Sequence, residues 1–245
     1  MRKAKPIEEL QKNVRFSPAS ENAFLQILPN SDGSLAIIEP GAADNITWQS
    51  RLISPNNQAT KAAGKVFFST SSGEAMCSAS VVTAPSKSLV VTAAHCLFDD
   101  STRTWYTNWI FVPVYDEGAA PLGRWVGRYG TILNAYAPSS ASSKNYNYDV
   151  GFVVVSPVNA RKIAQVTGSQ GIKFNAPRNQ MTFSFGYPGN IADGEIMSAC
   201  ISKTMANRCG APSYVGQALR CAGNMLKINK ANIFTQEAAA ILIIE

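Results

Sequence analysis

Residues 88–96 read Ser-Leu-Val-Val-Thr-Ala-Ala-His-Cys, and this stretch gives the clearest indication of the fold. Its first five residues are rich in apolar and β-branched side chains, which predicts a buried β-strand. Ala93 and Ala94 are small enough for a tight turn, so we expect His95 to stand at the end of that strand. His95 is the only histidine of the chain. Because an imidazole titrates near neutral pH, His95 is the best candidate for taking and returning a proton.

A second candidate is Asp149, which directly precedes residues 150–155, Val-Gly-Phe-Val-Val-Val. This apolar run predicts another strand, with the carboxylate at its head. A buried carboxylate can accept a hydrogen bond from an imidazole, fix its tautomer and stabilise the imidazolium. Taken alone, His95 could be a core histidine bound to a backbone carbonyl, and Asp149 could simply close a loop. Their order along the chain and their flanking residues favour a shared site instead.

With these motifs the sequence resembles the trypsin-like serine proteases of the chymotrypsin fold, nearest the bacterial and fungal glutamyl endopeptidases. The resemblance extends from about Gly64 to Met225 and includes these supporting segments: 64–68, 77–82, 109–115, 170–175, 185–188 and 194–195. It implies an all-β chain with two β-barrels. It also implies that His95 is the general base and acid, that Asp149 orients it, and that proteins or peptides are the substrates.

The five cysteines fit the same resemblance, which implies disulfides between Cys77 and Cys96 and between Cys200 and Cys221, with Cys209 left over. Disulfides indicate an oxidising, extracellular setting, although no secretory signal is visible at the N-terminus. A metal site is not expected, because the chain has one histidine and no Cys-x-x-Cys spacing. No cofactor is predicted either.

The nucleophile is the point at which the sequence departs from the family pattern. The resemblance implies a Gly-x-Ser-Gly-Gly loop soon after Cys221, whereas the chain continues Ala-Gly-Asn-Met, with no serine after Ser213 and no glycine after Gly223. Other hydroxyl residues follow Asp149, but none lies in a glycine-rich turn that would present it beside backbone amides: Ser156, Ser184, Ser198, Ser202, Ser213 and Thr235. We therefore expect no nucleophile and an incomplete second barrel.

The resemblance divides the chain into three segments. Residues 1–60 are predicted to be a leader or pro-segment, with a short amphipathic helix at 6–14. The resemblance implies a truncated trypsin-like peptidase domain at residues 61–225 and leaves residues 226–245 as a tail without a family counterpart, expected to be either an apolar helix or a strand. A frame shift or a premature end near codon 225 is the simplest explanation of the tail.

Composition is that of a globular protein, with 46% hydrophobic and 16% charged residues. The net charge of +6 does not indicate nucleic-acid binding, because the basic residues are scattered rather than gathered on one face. No membrane association is expected, since the apolar run at the C-terminus is too short to cross a bilayer. Two functions remain: a serine endopeptidase by family that is inactive as it stands, or a non-enzymatic protease-like binding protein.

Overall fold

The structure is a computed structural model that describes residues 17–18, 58–137, 148–172, 181–189, 192–203, 205–206, 217–218 and 241–243. Side chains are described at 60–137, 148–172, 185–189 and 192–198. Within these ranges the α-helices are short, α1 at Gln58–Ala62 and α2 at Ile163–Thr167. Strands make up most of the remaining regular structure, so the predicted all-β class is confirmed.

The strands described are short to medium in length and follow one another along the chain in this order: β1 (Ser17–Pro18), β2 (Ala63–Thr70), β3 (Gly73–Val81), β4 (Leu89–Thr92), β5 (Phe98–Asp99), β6 (Thr104–Trp105), β7 (Thr107–Pro113), β8 (Trp125–Ile132), β9 (Gly151–Val155), β10 (Met181–Gly186), β11 (Ser198–Lys203), β12 (Met205–Ala206), β13 (Gln217–Ala218) and β14 (Ile241–Ile243). The strands predicted at 88–92 and 150–155 correspond to β4 and β9, and the segments 64–68, 77–82 and 109–115 that support the resemblance fall on β2, β3 and β7.

Six of these strands close into a barrel in the order β8-β7-β2-β3-β4-β9, because β8 also pairs with β9. Neighbouring strands within the barrel are antiparallel. Strands β4 and β9 pair from Leu89↔Val154 to Thr92↔Gly151. The two strands that carry the His95 and Asp149 motifs are therefore direct neighbours. Strand β1 adds to the barrel by pairing in parallel with β8, with Ser17 opposite Tyr129.

The barrel interior is filled by aliphatic and aromatic side chains from every part of the sheet. Val66, Val81, Val90, Phe111 and Val153 are all fully buried. Burial of such a side chain contributes about 1.5–3 kcal/mol, so this core accounts for much of the barrel's stability. In β9 burial alternates along the strand, as expected when one face of a strand points inward.

The outer face of β2 and β7 is covered by a later part of the chain. Ile110, Val112 and Tyr115 form a second buried cluster with Tyr187, against which Phe67 also packs. This arrangement brings residues 185–189 and 192–195 onto the first barrel. Strand β2 is consequently buried along most of its length, because one face meets the core and the other meets this segment.

Beyond the barrel, β10 pairs with β11 and with β14, and β12 pairs with β13. The segment 241–243, for which a helix or a strand was expected, is thus a strand. In the segment 170–175, which supports the resemblance, Gln170 forms a parallel bridge with Val82, and residues 173–175 lie outside the described residues. The predicted helix at 6–14, Cys209, Cys221 and the side chain of Cys200 also lie outside them.

Among the described residues, no helix is both long enough and apolar enough to span a membrane.

Candidate active site

The turn that carries His95 follows β4 directly. Ala93 is extended, and residues Ala94–Cys96 form one turn of 3-10 helix in which the Cys96 N–H donates to the Ala93 carbonyl at 3.1 Å. Ala93 and Ala94 are 1% and 0% exposed, so the small side chains predicted to allow the turn are packed into the protein. This packing leaves His95 at the end of the strand, as the sequence predicted.

A disulfide joins this turn to β3. Cys77 and Cys96 are bonded, with Cα atoms 6.3 Å apart, which confirms the predicted bridge. The Thr92 hydroxyl donates to the Ser78 carbonyl at 2.9 Å, so a hydrogen bond supports the link one residue along β3. The turn is therefore tied to the barrel wall on both sides of His95.

Asp149 reaches His95 because of the strand register. Thr92 lies opposite Gly151, so the end of β4 and the start of β9 are at the same edge of the sheet. Gly151 also makes the approach possible, because a Cβ there would lie 2.5 Å from Leu97 Cδ1 and 3.2 Å from the Thr131 carbonyl oxygen. A glycine at the start of β9 thus lets the strand carrying Asp149 pack against the turn carrying His95.

The Asp149 carboxylate makes two hydrogen bonds to the same residue. Its Oδ1 accepts from the His95 backbone N–H at 2.9 Å, and its Oδ2 lies 2.7 Å from His95 Nδ1. An ionised carboxylate can only accept, so Nδ1 must be the protonated ring nitrogen. The side chains are 14% and 7% exposed, so the pair is largely shielded from water. Backbone and ring are held together, and this fixes both the position and the tautomer of the imidazole.

The other ring nitrogen, Nε2, is buried and has no hydrogen-bond partner in the described part of the chain. With Nδ1 protonated, Nε2 of the neutral ring is a basic acceptor. Among the hydroxyl residues considered above, Ser156 and Ser198 have described side chains, and neither supplies this partner. The arrangement can therefore accept a proton from a hydroxyl, while no described side chain offers one.

Within the described residues, His95 also belongs to a cluster of side chains with ligand atoms close enough together to hold a metal ion. Ligand atoms of Cys77, His95 and Cys96 lie within 4.8 Å of one another. The two sulfurs are joined in the disulfide, however, and metal binding by cysteine requires a thiolate. This grouping is explained by the disulfide beside the imidazole.

Sequence reasoning assigned no role to a second charged pair, Lys65 with Glu195. Both residues lie in segments that support the resemblance, 64–68 and 194–195, but neither side chain was given a function there. The available signal was a lysine inside an otherwise apolar strand, since lysine is almost never fully buried unless it is paired. Its partner, 130 residues further along the chain, has no local signal.

A closed six-stranded barrel with a hydrogen-bonded His–Asp pair at the edge between two of its strands defines a class of protein. The chain has the chymotrypsin fold of the trypsin-like serine proteases. Two solved structures are similar to it in both sequence and fold. Protease Anisep from Arthrobacter nicotinovorans is 37% identical with a TM-score of 0.54, and the match covers 61% of this chain and 66% of that protease.

The thermostable serine protease AL20, from an extremophilic microorganism, is 29% identical with a TM-score of 0.57, and the match covers 67% of this chain and 74% of AL20. A Glu endopeptidase solved in complex with MPD also matches, at 14% identity and a TM-score of 0.47, covering 74% of this chain and 81% of that chain. No protein-family model and no curated protein matches the sequence.

Proposed function

We propose that the chain is a serine-type endopeptidase by descent, in which His95 is the general base and acid and Asp149 orients it. One observation carries the proposal: Asp149 holds both the backbone and Nδ1 of His95, while Nε2 is buried and has no hydrogen-bond partner among the residues that the structure describes. An unsatisfied buried nitrogen costs free energy, and such groups concentrate where function requires them. The similarity to two serine proteases supports the same reaction class.

The proposed chemistry is acyl transfer to a hydroxyl. Nε2 takes the hydroxyl proton as the oxygen attacks a peptide carbonyl, and then returns it to the leaving amine. Asp149 keeps Nδ1 protonated and stabilises the imidazolium that forms between these steps. The developing oxyanion needs backbone N–H donors, which glycine-rich loops supply in this class.

The sequence lacks the Gly-x-Ser-Gly-Gly loop that would provide both the hydroxyl and those donors. We therefore propose that the chain, with the sequence given, does not hydrolyse peptides. A fluorophosphonate probe, which labels activated serines, should leave it unlabelled. Labelling that disappears in His95→Ala would show that another hydroxyl serves as the nucleophile.

A graft tests the proposed role of the pair. Residues 1–221 would be followed by the corresponding C-terminal segment of an active trypsin-like protease that contains Gly-x-Ser-Gly-Gly. We expect peptide hydrolysis and probe labelling, both lost in His95→Ala and in a graft whose serine is replaced by alanine. A folded graft that binds a peptide without cleaving it would contradict the proposal.

The origin of the tail can be tested in the gene. If residues 226–245 result from a frame change, another frame beyond codon 225 should encode Gly-x-Ser-Gly-Gly followed by strand patterns. If no frame encodes such a motif, the second candidate becomes the better one. That candidate is a non-enzymatic protease-like protein that binds a peptide or protein, and the missing motif is the observation that favours it.

We also propose that the protein is extracellular. The Cys77–Cys96 disulfide supports this, because structural disulfides persist in oxidising compartments. Fractionation of the source cells, with thiol labelling of the native protein, tests the proposal. Recovery from the reducing interior with both cysteines labelled would contradict it.

A further inference from the structure

Lys65 is the most deeply buried charged residue described in the barrel wall, with 1% of its side chain exposed. Its Nζ lies 2.8 Å from Glu195 Oε1, 4.6 Å from the Tyr115 ring centroid and 5.0 Å from that of Phe67. Burial lowers the pKa of the Lys65 ammonium below its ordinary value of 10.5, although Glu195 opposes this change. Glu195 and the two aromatic faces therefore compensate for a charge that would otherwise be very costly in this position.

Both carboxylate oxygens of Glu195 are used. While Oε1 accepts from Lys65, Oε2 accepts from the Tyr115 hydroxyl at 2.6 Å. The Glu195 backbone also takes part, since its carbonyl accepts from the Glu117 N–H at 2.9 Å. Glu195 is thus fixed by side chain and backbone to strand β2 and to the turn that follows β7.

The backbone that directs Tyr115 is strained. Val114, one residue earlier, has φ of 52°, in the left-handed region that β-branched residues rarely enter. It is 5% exposed, and its N–H donates to the Ala63 carbonyl at 3.0 Å. Such strain persists only where the surroundings determine the conformation. The contacts of Tyr115 with Lys65 and Glu195 are part of those surroundings.

A chain of hydrogen bonds leads from this cluster towards His95. The Tyr187 hydroxyl donates to the Tyr115 carbonyl at 2.9 Å, and the Tyr187 N–H donates to Ser78 Oγ at 2.8 Å. The Ser78 carbonyl in turn accepts from Thr92, three residues before His95. Ser78 also follows Cys77, whose disulfide ends in the His95 turn.

We propose that Lys65, Tyr115 and Glu195 form a cross-barrel anchor that positions residues 185–189 and 192–195 on the first barrel and, through Tyr187 and Ser78, positions the His95 turn. Lys65 and Glu195 act here as positioning residues through their charges. The anchor depends on no nucleophile, so it can be tested separately from the proposed peptidase function.

The test uses the full chain and three variants: Glu195→Gln, Lys65→Met and the double variant that carries both changes. The control is Lys87→Met, which removes an exposed cation. Hydrogen exchange is measured at the backbone amides of Tyr187 and Glu117, because the first belongs to residues 185–189 and the second donates to Glu195. The NMR signals of the imidazole report on the turn, and they belong to His95 because the chain has no other histidine.

We expect Glu195→Gln to speed exchange of both amides about 30-fold and to shift the His95 signals, because it leaves a buried ammonium unpaired. The double variant should return exchange to within about fivefold of the parent, since it leaves neither charge unpaired. Lys87→Met should leave both measurements unchanged.

Exchange in Glu195→Gln that matches the Lys87→Met control would overturn the anchor. Faster exchange with unchanged His95 signals would overturn its connection to the active site. If Glu195→Gln does not fold, the double variant decides the matter, because its failure to fold as well would show that charge pairing is not the reason. Tyr115→Phe, which keeps the ring over Lys65 and loses one hydrogen bond, should then show an intermediate effect.

Discussion

Two acid–base pairs within the described part of the chain look alike in composition and differ in which atoms they leave available. His95 and Asp149 are joined at 2.7 Å, and Nε2 of the ring has no hydrogen-bond partner among the described residues. Lys65 and Glu195 are joined at 2.8 Å, and Tyr115 takes the remaining carboxylate oxygen. The first pair retains a basic atom that can move a proton, whereas the second is satisfied by its neighbours.

This difference distinguishes the proposed catalytic pair from the proposed anchor more clearly than burial does. Both pairs are at least partly shielded from water, with Glu195 the most exposed of the four side chains at 24%, and both join elements that are distant in sequence. A fully satisfied ion pair holds two parts of the chain in one arrangement. An oriented but unsatisfied imidazole retains capacity for general base catalysis.

The largest effect is expected when the reactive pair is broken in the grafted chain described above. Asp149→Asn should lower kcat about 10⁴-fold, because an amide in this position favours the wrong imidazole tautomer. Asp193→Asn is the matched control, since Asp193 is exposed and has φ of 53°, a conformation that asparagine tolerates. Equal kcat in the two variants would show that Asp149 does not orient His95.

A smaller effect is expected when the support of the reactive pair is removed. Cys77→Ala combined with Cys96→Ala opens a loop with a sequence separation of 19 and should lower the free energy of unfolding by about 3 kcal/mol. Urea unfolding measures this change, with the oxidised parent as reference. A loss below about 0.5 kcal/mol, typical of neutral surface substitutions, would mean that hydrogen bonding alone holds the His95 turn.

The sequence predicted that His95 and Asp149 share a site and gave no sign that Lys65 pairs with Glu195, for a physical reason. His95 and Asp149 each stand at the end of a strand with a clear apolar pattern, so the pattern fixes where each side chain begins. Lys65 lies inside such a strand, where pattern alone does not reveal which distant carboxylate compensates its charge. The left-handed conformation of Val114 has no sequence signal either, because tertiary contacts impose it.

The strands of the fold show the same contrast between features set by local sequence pattern and features set by tertiary contacts. Strands β4 and β9 were predicted from their apolar runs, whereas β2, β3 and β7 fall on segments that only the resemblance pointed to. The short hairpin of β5 and β6 was not predicted, since pairs of two residues carry almost no periodicity. Local pattern identifies long strands, and tertiary pairing decides the short ones.

The smallest effect concerns the satisfied pair at alkaline pH. Burial, with Glu195 beside it, raises the pKa of Tyr115 well above its ordinary value of 10.0, and burial does the same to Tyr187. The folded chain keeps these protons after the unfolded chain has lost them, so their contribution to stability is complete below pH 10 and falls as pH rises further.

Lys65 acts in the opposite direction and over a lower range. Its pKa is lowered by burial, so the unfolded chain holds this proton more tightly and stability rises with pH up to about 10.5. Above that pH the effect of Tyr115 and Tyr187 is larger than that of Lys65, so the free energy of unfolding falls as pH rises. In the parent, the free energy of unfolding should fall as pH rises from 10 to 11, and Tyr115→Phe should make this fall less steep. Tyr129→Phe, at an exposed position, is the control. An unchanged slope in Tyr115→Phe would contradict this assignment.

We expect Asp149 to hold a neutral His95 with its proton on Nδ1 and to leave Nε2 basic. NMR of the ring nitrogens tests this expectation directly, because every histidine signal in this chain comes from one residue. Above the imidazole pKa, we expect a slowly exchanging Nδ1–H signal in the parent, lost in Asp149→Ala and retained in Asp193→Asn. A neutral ring protonated on Nε2, or an Nδ1–H signal that persists in Asp149→Ala, would contradict the account.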